Sequence, residues 1–200
     1  MSELIVSSPA PAHAARPGLL TRLRRPGLLA RLRRDENGFT AVEFALVATP
    51  FLALLFGIIA VGLYFFVQFS LENAVEQASR MIRTGQAQTR EPPMTTAQFK
   101  TEICNRAPSF IDCGGKVRVN VQVFNSFATV AAPSCTDAGG NLVPDPPASN
   151  VPGQSGEIVF VNVCYEWELA GKIPFLKLGK LGNGAALIQA ATTFRTEPYN

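Results

Sequence analysis

Glu166 and Glu168 flank Trp167 in the segment EIVFVNVCYEWEL, residues 157–169. Two carboxylates at alternate positions of a strand share one face, the minimum a glycosidase needs for its acid and nucleophile. The intervening Trp and the alternation around the pair fit a strand face turned to water better, and the pair is read that way. The single histidine, His13, lies near the N-terminus. The rest of the chain therefore offers no imidazole for a Ser-His-Asp triad, a Cys-His dyad or a histidine metal site. Phosphate-loop and dinucleotide fingerprints are also missing. The chain reads as a non-enzyme, with no cofactor, no metal and no small-molecule substrate.

The four cysteines, Cys104, Cys113, Cys135 and Cys164, all lie in the C-terminal two-thirds. No CxxC pair occurs, which argues against zinc. An even number in an oxidising compartment suggests two disulfides, with three possible connectivities; buried free thiols are the alternative. Cys104 with Cys113 and Cys135 with Cys164 is the expected pairing. The first would close a turn between a short helix and a strand, and the second would tie a long loop to the next strand.

Another chemically pointed residue is Glu43, in NGFTAVEF, residues 37–44. It stands between an arginine-rich leader and an apolar run without a charge from Phe44 to Leu71. The core of that run, ATPFLALLFGIIAVGLYFFV, would span about 30 Å as a helix, enough for a bilayer's hydrocarbon region. It is too long for the apolar part of an ordinary signal peptide. A single transmembrane helix is expected over residues 39–70, kinked at Pro50, which has no N–H for the carbonyl of Leu46. A buried charge would cost a few kcal/mol. Glu43 therefore either rests at the water interface or has a partner, and the residues alone leave both open.

Charge orients this segment. Residues 1–38 hold seven arginines against three carboxylates, whereas from Glu72 onward eleven basic residues balance eleven acidic ones. The positive-inside rule puts the leader in the cytoplasm and residues 71–200 outside. Neutrality there gives no footprint for nucleic acid. The leader is a tandem repeat, RPGLLTRLR followed by RPGLLARLR (16–24 and 25–33). Each copy could form a short basic amphipathic turn on anionic lipid or be a duplication without structure; its Pro and Gly residues interrupt any long helix, and partial disorder is expected.

Beyond the apolar run, Leu71, Ala74, Val75, Ala78, Met81 and Ile82 recur at helical spacing, so the helix should continue as an amphipathic one to Gly85. Thr95–Gln98 reads as a capping box opening a short helix with Phe99, Ile103 and Ala107 on one face. Strands are expected at 116–124, 157–169 and 186–198, with an irregular loop at 125–156. The fold class is α+β: a long N-terminal helix packed on a small three-stranded antiparallel sheet.

Gly38 before Phe39, Glu43 as the fifth residue from that junction, upstream arginines and a long apolar helix together resemble the prepilin signal of type IV pilins and pseudopilins. In that family a membrane peptidase cuts after the glycine and leaves the helix in the membrane. The closer resemblance is to TadE/TadF-type minor pseudopilins of tight-adherence (Flp-type) pilus systems. It rests on GFTAVEFALVATPFLALLFGII, on ICNRAPSFIDCGGKVRVNVQVF and on the closing ATTFRTEPY. Phe44 stands where the major pilin of those systems usually carries Tyr, which favours a minor component.

The resemblance implies a pilin-like fold, cleavage between Gly38 and Phe39, and a role for Glu43 in neutralising the new amine on a neighbouring subunit. It implies the bacterial inner membrane as location, with the C-terminal domain periplasmic or pilus-associated. The implied partners are the major pilin, a second pseudopilin, the inner-membrane pilus platform and the prepilin peptidase, besides membrane lipid. Two other readings compete. One is an uncleaved single-pass protein of an envelope or secretion complex. The other is an anchored surface-binding module that uses loop 125–156.

Overall fold

A computed structural model describes residues 39–172, 179 and 181–199. The leader with its tandem repeat, and Gly38, lie outside the described residues. The chain divides into two units, residues 1–50 and 51–200.

In the first unit, residues 39–50 open helix α1 (Phe39–Arg83). All their side chains are exposed except that of Ala48, which is half-buried. Thr49 Oγ1 donates to the carbonyl of Ala45 at 2.6 Å, so its hydroxyl is satisfied within the helix.

In the second unit α1 changes character along its length. Apart from buried Ala60 and half-buried Tyr64, its apolar side chains stay exposed as far as Phe66. From Val67 onward a second face is buried at Val67, Leu71, Ala74, Val75, Ala78 and Ile82, the three- and four-residue spacing of an amphipathic helix. Met81 is partly buried beside them. The helix stops at Arg83, and Gly85, with φ of 76°, turns the chain into the one-turn helix α2 (Gln86–Thr89), which the sequence pattern did not suggest.

Helix α3 (Thr96–Arg106) begins at the expected capping box: Thr95 Oγ1 accepts the N–H of Gln98, and the Gln98 side chain accepts the N–H of Thr95. Phe99 and Ile103 point from it into the core.

Strands β1 (Val117–Phe124), β2 (Ile158–Trp167) and β3 (Ala186–Arg195) form one antiparallel sheet in sequence order. Tyr165 lies opposite Val117 on one side and Ile188 on the other; Val163 lies opposite Val119 and Ala190. These odd rows of β2 and β1 join the buried face of α1 in a single core. Each fully buried Val, Leu or Ile contributes about 1.5–3 kcal/mol relative to exposure.

The sheet's other face departs from the expected half-buried alternation. Ile158, Phe160, Asn162 and Cys164 are buried too. Loop 125–156 lies across this face, starting with a short 3-10 turn at Phe127–Thr129. Asn162 Nδ2 donates to the carbonyl of Pro133 at 3.3 Å, and Cys164 is bonded to Cys135. The strand also ends sooner than expected, because Glu168 begins a 3-10 turn, Glu168–Lys172.

Candidate functional site

Helix periodicity sets the geometry at the start of α1. Phe39 and Glu43 are four residues apart, one turn, and so lie on the same face about 6 Å apart along the axis. Both are exposed, and Glu43 makes no ion pair among the described residues. Among the described residues no acid occupies the first turn, and Glu43 is the carboxylate nearest in sequence to the described start of the helix, where the dipole is positive. Pro50 lies inside α1, which is helical on both sides of it. The helix is long and apolar enough to cross a membrane.

The cysteines form two disulfides, Cys104–Cys113 and Cys135–Cys164, and none is free. The first joins the last turn of α3 to the approach to β1. The second pins loop 125–156 to β2, so that loop is bound to its own sheet at this point.

The two carboxylates that suggested hydrolysis are held apart by different partners. Glu166 accepts from Asn183 Nδ2, whereas Glu168, beyond the strand, pairs with Lys116 at 3.1 Å. Lys116 also pairs with Asp112 at 3.0 Å. The Lys116 ammonium, followed by the N–H of Gly114, holds the Asp112 carboxyl below its usual range, and Asp112 and Glu168 raise Lys116 in return. Tyr165 Oη accepts the N–H of Asp112 at 3.4 Å, and burial pushes that phenol up. Among the described residues, no three His, Cys, Asp or Glu side chains stand close enough to hold a metal ion.

A cleft of about 460 Å³ lies between α3, β1 and the loop residues Asp145–Ala148. Its rim is closed by Lys100, whose ammonium is 2.8 Å from Asp145 Oδ2. The other carboxylate oxygen of Asp145 accepts the N–H of Val119 at 2.9 Å. Sequence reasoning missed this arrangement, because nothing in the spacing of Lys100, Val119 and Asp145 joins them.

The family model described as TadE-like protein matches residues 38–80. Over this segment the chain is similar to TadE-like proteins. The match covers the Gly38–Phe39 junction, Glu43, Pro50 and all but the last turn of α1. It stops short of α3 and the sheet. Searches of curated proteins and of solved structures give no match.

Proposed function

We propose that this protein is a TadE-like minor pseudopilin, a structural assembly component of a tight-adherence pilus. The observation that carries the reading is the coincidence of the family match, residues 38–80, with a helix most of whose large apolar side chains from Phe39 to Phe66 are exposed. In this reading α1 is anchored in the inner membrane with the leader cytoplasmic and the sheet domain periplasmic. The prepilin peptidase cuts after Gly38, a residue without a side chain to hinder the protease. Cleavage leaves an α-amine on Phe39, one turn from Glu43, and Glu43 neutralises such an amine on a neighbouring subunit where helices pack away from water. Pro50 supplies a bend in that packing. The partners are the major pilin, a second pseudopilin and the assembly platform.

The test is N-terminal sequencing of the protein recovered from membranes with an active prepilin peptidase. The expected first residue is Phe39, and Gly38→Val should leave the 200-residue form. Full-length wild-type chains would instead support an uncleaved single-pass protein of an envelope complex.

A further inference from the structure

Two segments far apart in sequence meet beside α1 at one level. The Phe110 ring lies 5.3 Å from that of Phe66, and the Trp167 ring lies 6.2 Å from that of Tyr64. Lys116 ties the two segments together, since its ammonium pairs with Asp112 on one side and Glu168 on the other. Next to these charges, Phe110 and Leu169 leave 47% and 50% of their surfaces open. Two large apolar side chains are thus exposed where a charged cluster begins, and Phe110 lies against an exposed part of α1 containing Phe65, Phe66 and Phe69.

Helix length identifies what covers them. Glu43 is the only charge between Phe39 and Leu71. A hydrocarbon layer about 30 Å thick, counted from Phe44 at about 1.5 Å per residue, ends near Tyr64. That is the level of Phe110 and Trp167. Trp167 is itself buried in the core and only marks this level, whereas Phe110 is an exposed aromatic ring with charges immediately beyond, an arrangement that suits a lipid–water boundary.

We infer that the sheet domain rests directly on the lipid surface, with Phe110 and Leu169 dipping into the interface beside Tyr64 and Phe66. This rests on the membrane reading of α1 and adds to it a lipid contact made by the folded domain. Asp112, Lys116 and Glu168 then lie in the headgroup layer, and their mutual pairing keeps either sign from facing lipid alone.

The full chain, reconstituted in phosphatidylcholine vesicles, provides the test. The lipids carry bromine, a fluorescence quencher, near either the headgroup end or the methyl end of the acyl chain. Trp167 is the only tryptophan, and its emission should be quenched more strongly by the shallow bromine. In a Trp167→Phe background, F110W should be quenched by the shallow bromine and shielded from acrylamide, whereas F56W should respond to the deep bromine. Should that background fail to fold, Phe110→Asp with Leu169→Asp in the native chain should abolish the shallow quenching of Trp167. If F110W is quenched by acrylamide and by neither lipid while F56W responds to deep bromine, the inference fails and the membrane reading stands. If F56W responds to neither lipid, the membrane reading fails, and this inference fails with it.

Discussion

Tyr199 donates its phenolic hydrogen to the main-chain oxygen of Gly153 at 2.6 Å, while its ring packs against Gly85. The penultimate residue of the chain thereby joins the turn that ends α1 to the end of loop 125–156. Tyr199→Phe removes one hydrogen bond and should cost about 0.5–1.5 kcal/mol in denaturant unfolding of the full chain in detergent. Gly153→Ala should cost more, roughly 1–3 kcal/mol. Its φ of 119° disfavours any side chain, and a Cβ there would lie 2.8 Å from Val159 Cγ2. A Gly153→Ala variant as stable as wild type would mean that the turn at Gly153 tolerates a side chain, and an unchanged Tyr199→Phe variant would mean that the hydrogen bond adds nothing to the fold.

The two disulfides should not be worth the same. Cys135–Cys164 closes a separation of 29 residues and Cys104–Cys113 one of 9. In the chain-entropy account each contributes about 2–4 kcal/mol, and the longer closure about 1 kcal/mol more than the shorter. Replacing Cys135 and Cys164 with serine should also open loop 125–156 to limited proteolysis, while replacing Cys104 and Cys113 should leave it protected. Equal protease sensitivity in both variants would refute the pinning role of the longer bridge.

The charged cluster around Lys116 sets a pH window. Asp112, held low chiefly by Lys116, and Asp137, held low chiefly by the N–H of Asn141, stabilise the fold above the ordinary value of 3.8. That contribution is lost as pH falls through their depressed folded values. Lys116, raised chiefly by Asp112, contributes fully below 10.5 and loses its effect as pH climbs through its folded value. Stability should therefore be highest between these limits, and Asp112→Asn should flatten both the acid and the alkaline limb. Identical pH profiles for wild type and variant in denaturant titrations would exclude this coupling.

Glu43→Gln separates an interfacial residue from an assembly residue. If Glu43 pairs with an amine on a neighbouring subunit, the variant leaves that charge unpaired at a cost of roughly 3–5 kcal/mol. Membrane level and cleavage after Gly38 should be normal and pili lost, with Glu43→Asp partly active. Wild-type piliation from the Gln variant would leave Glu43 as a simple interface residue.

The elements that follow one dominant rule could be read from the sequence. The apolar run and the spacing from Leu71 to Ile82 give α1, Thr95 and Gln98 give the start of α3, and the valines of β1 mark a strand. What could not be read depends on tertiary neighbours. Asn162 looks like a solvent-facing position in an alternating strand, yet it is 1% exposed, because the carbonyl of Pro133 and the side chain of Gln189 satisfy its amide. Glu168 continues the strand's pattern, but its ion pair with Lys116 lies in a 3-10 turn beyond the strand's end. At the start of α1, the one-turn relation of Phe39 to Glu43 follows from helix geometry alone. The meeting of Phe110 with Phe66 depends on the fold of the whole domain.

Asp145 has a consequence for how copies of this domain can meet. β1 is an outer strand, and an outer strand with free N–H groups is a template on which another chain can add a strand. At Val119 the carboxylate of Asp145 already occupies that position, and Lys100 holds the carboxylate in place. A neighbour approaching this edge finds a capped hydrogen bond and a charge that would have to be desolvated. Crowded side by side, such domains are guarded at this point against fusing their sheets into an aggregate.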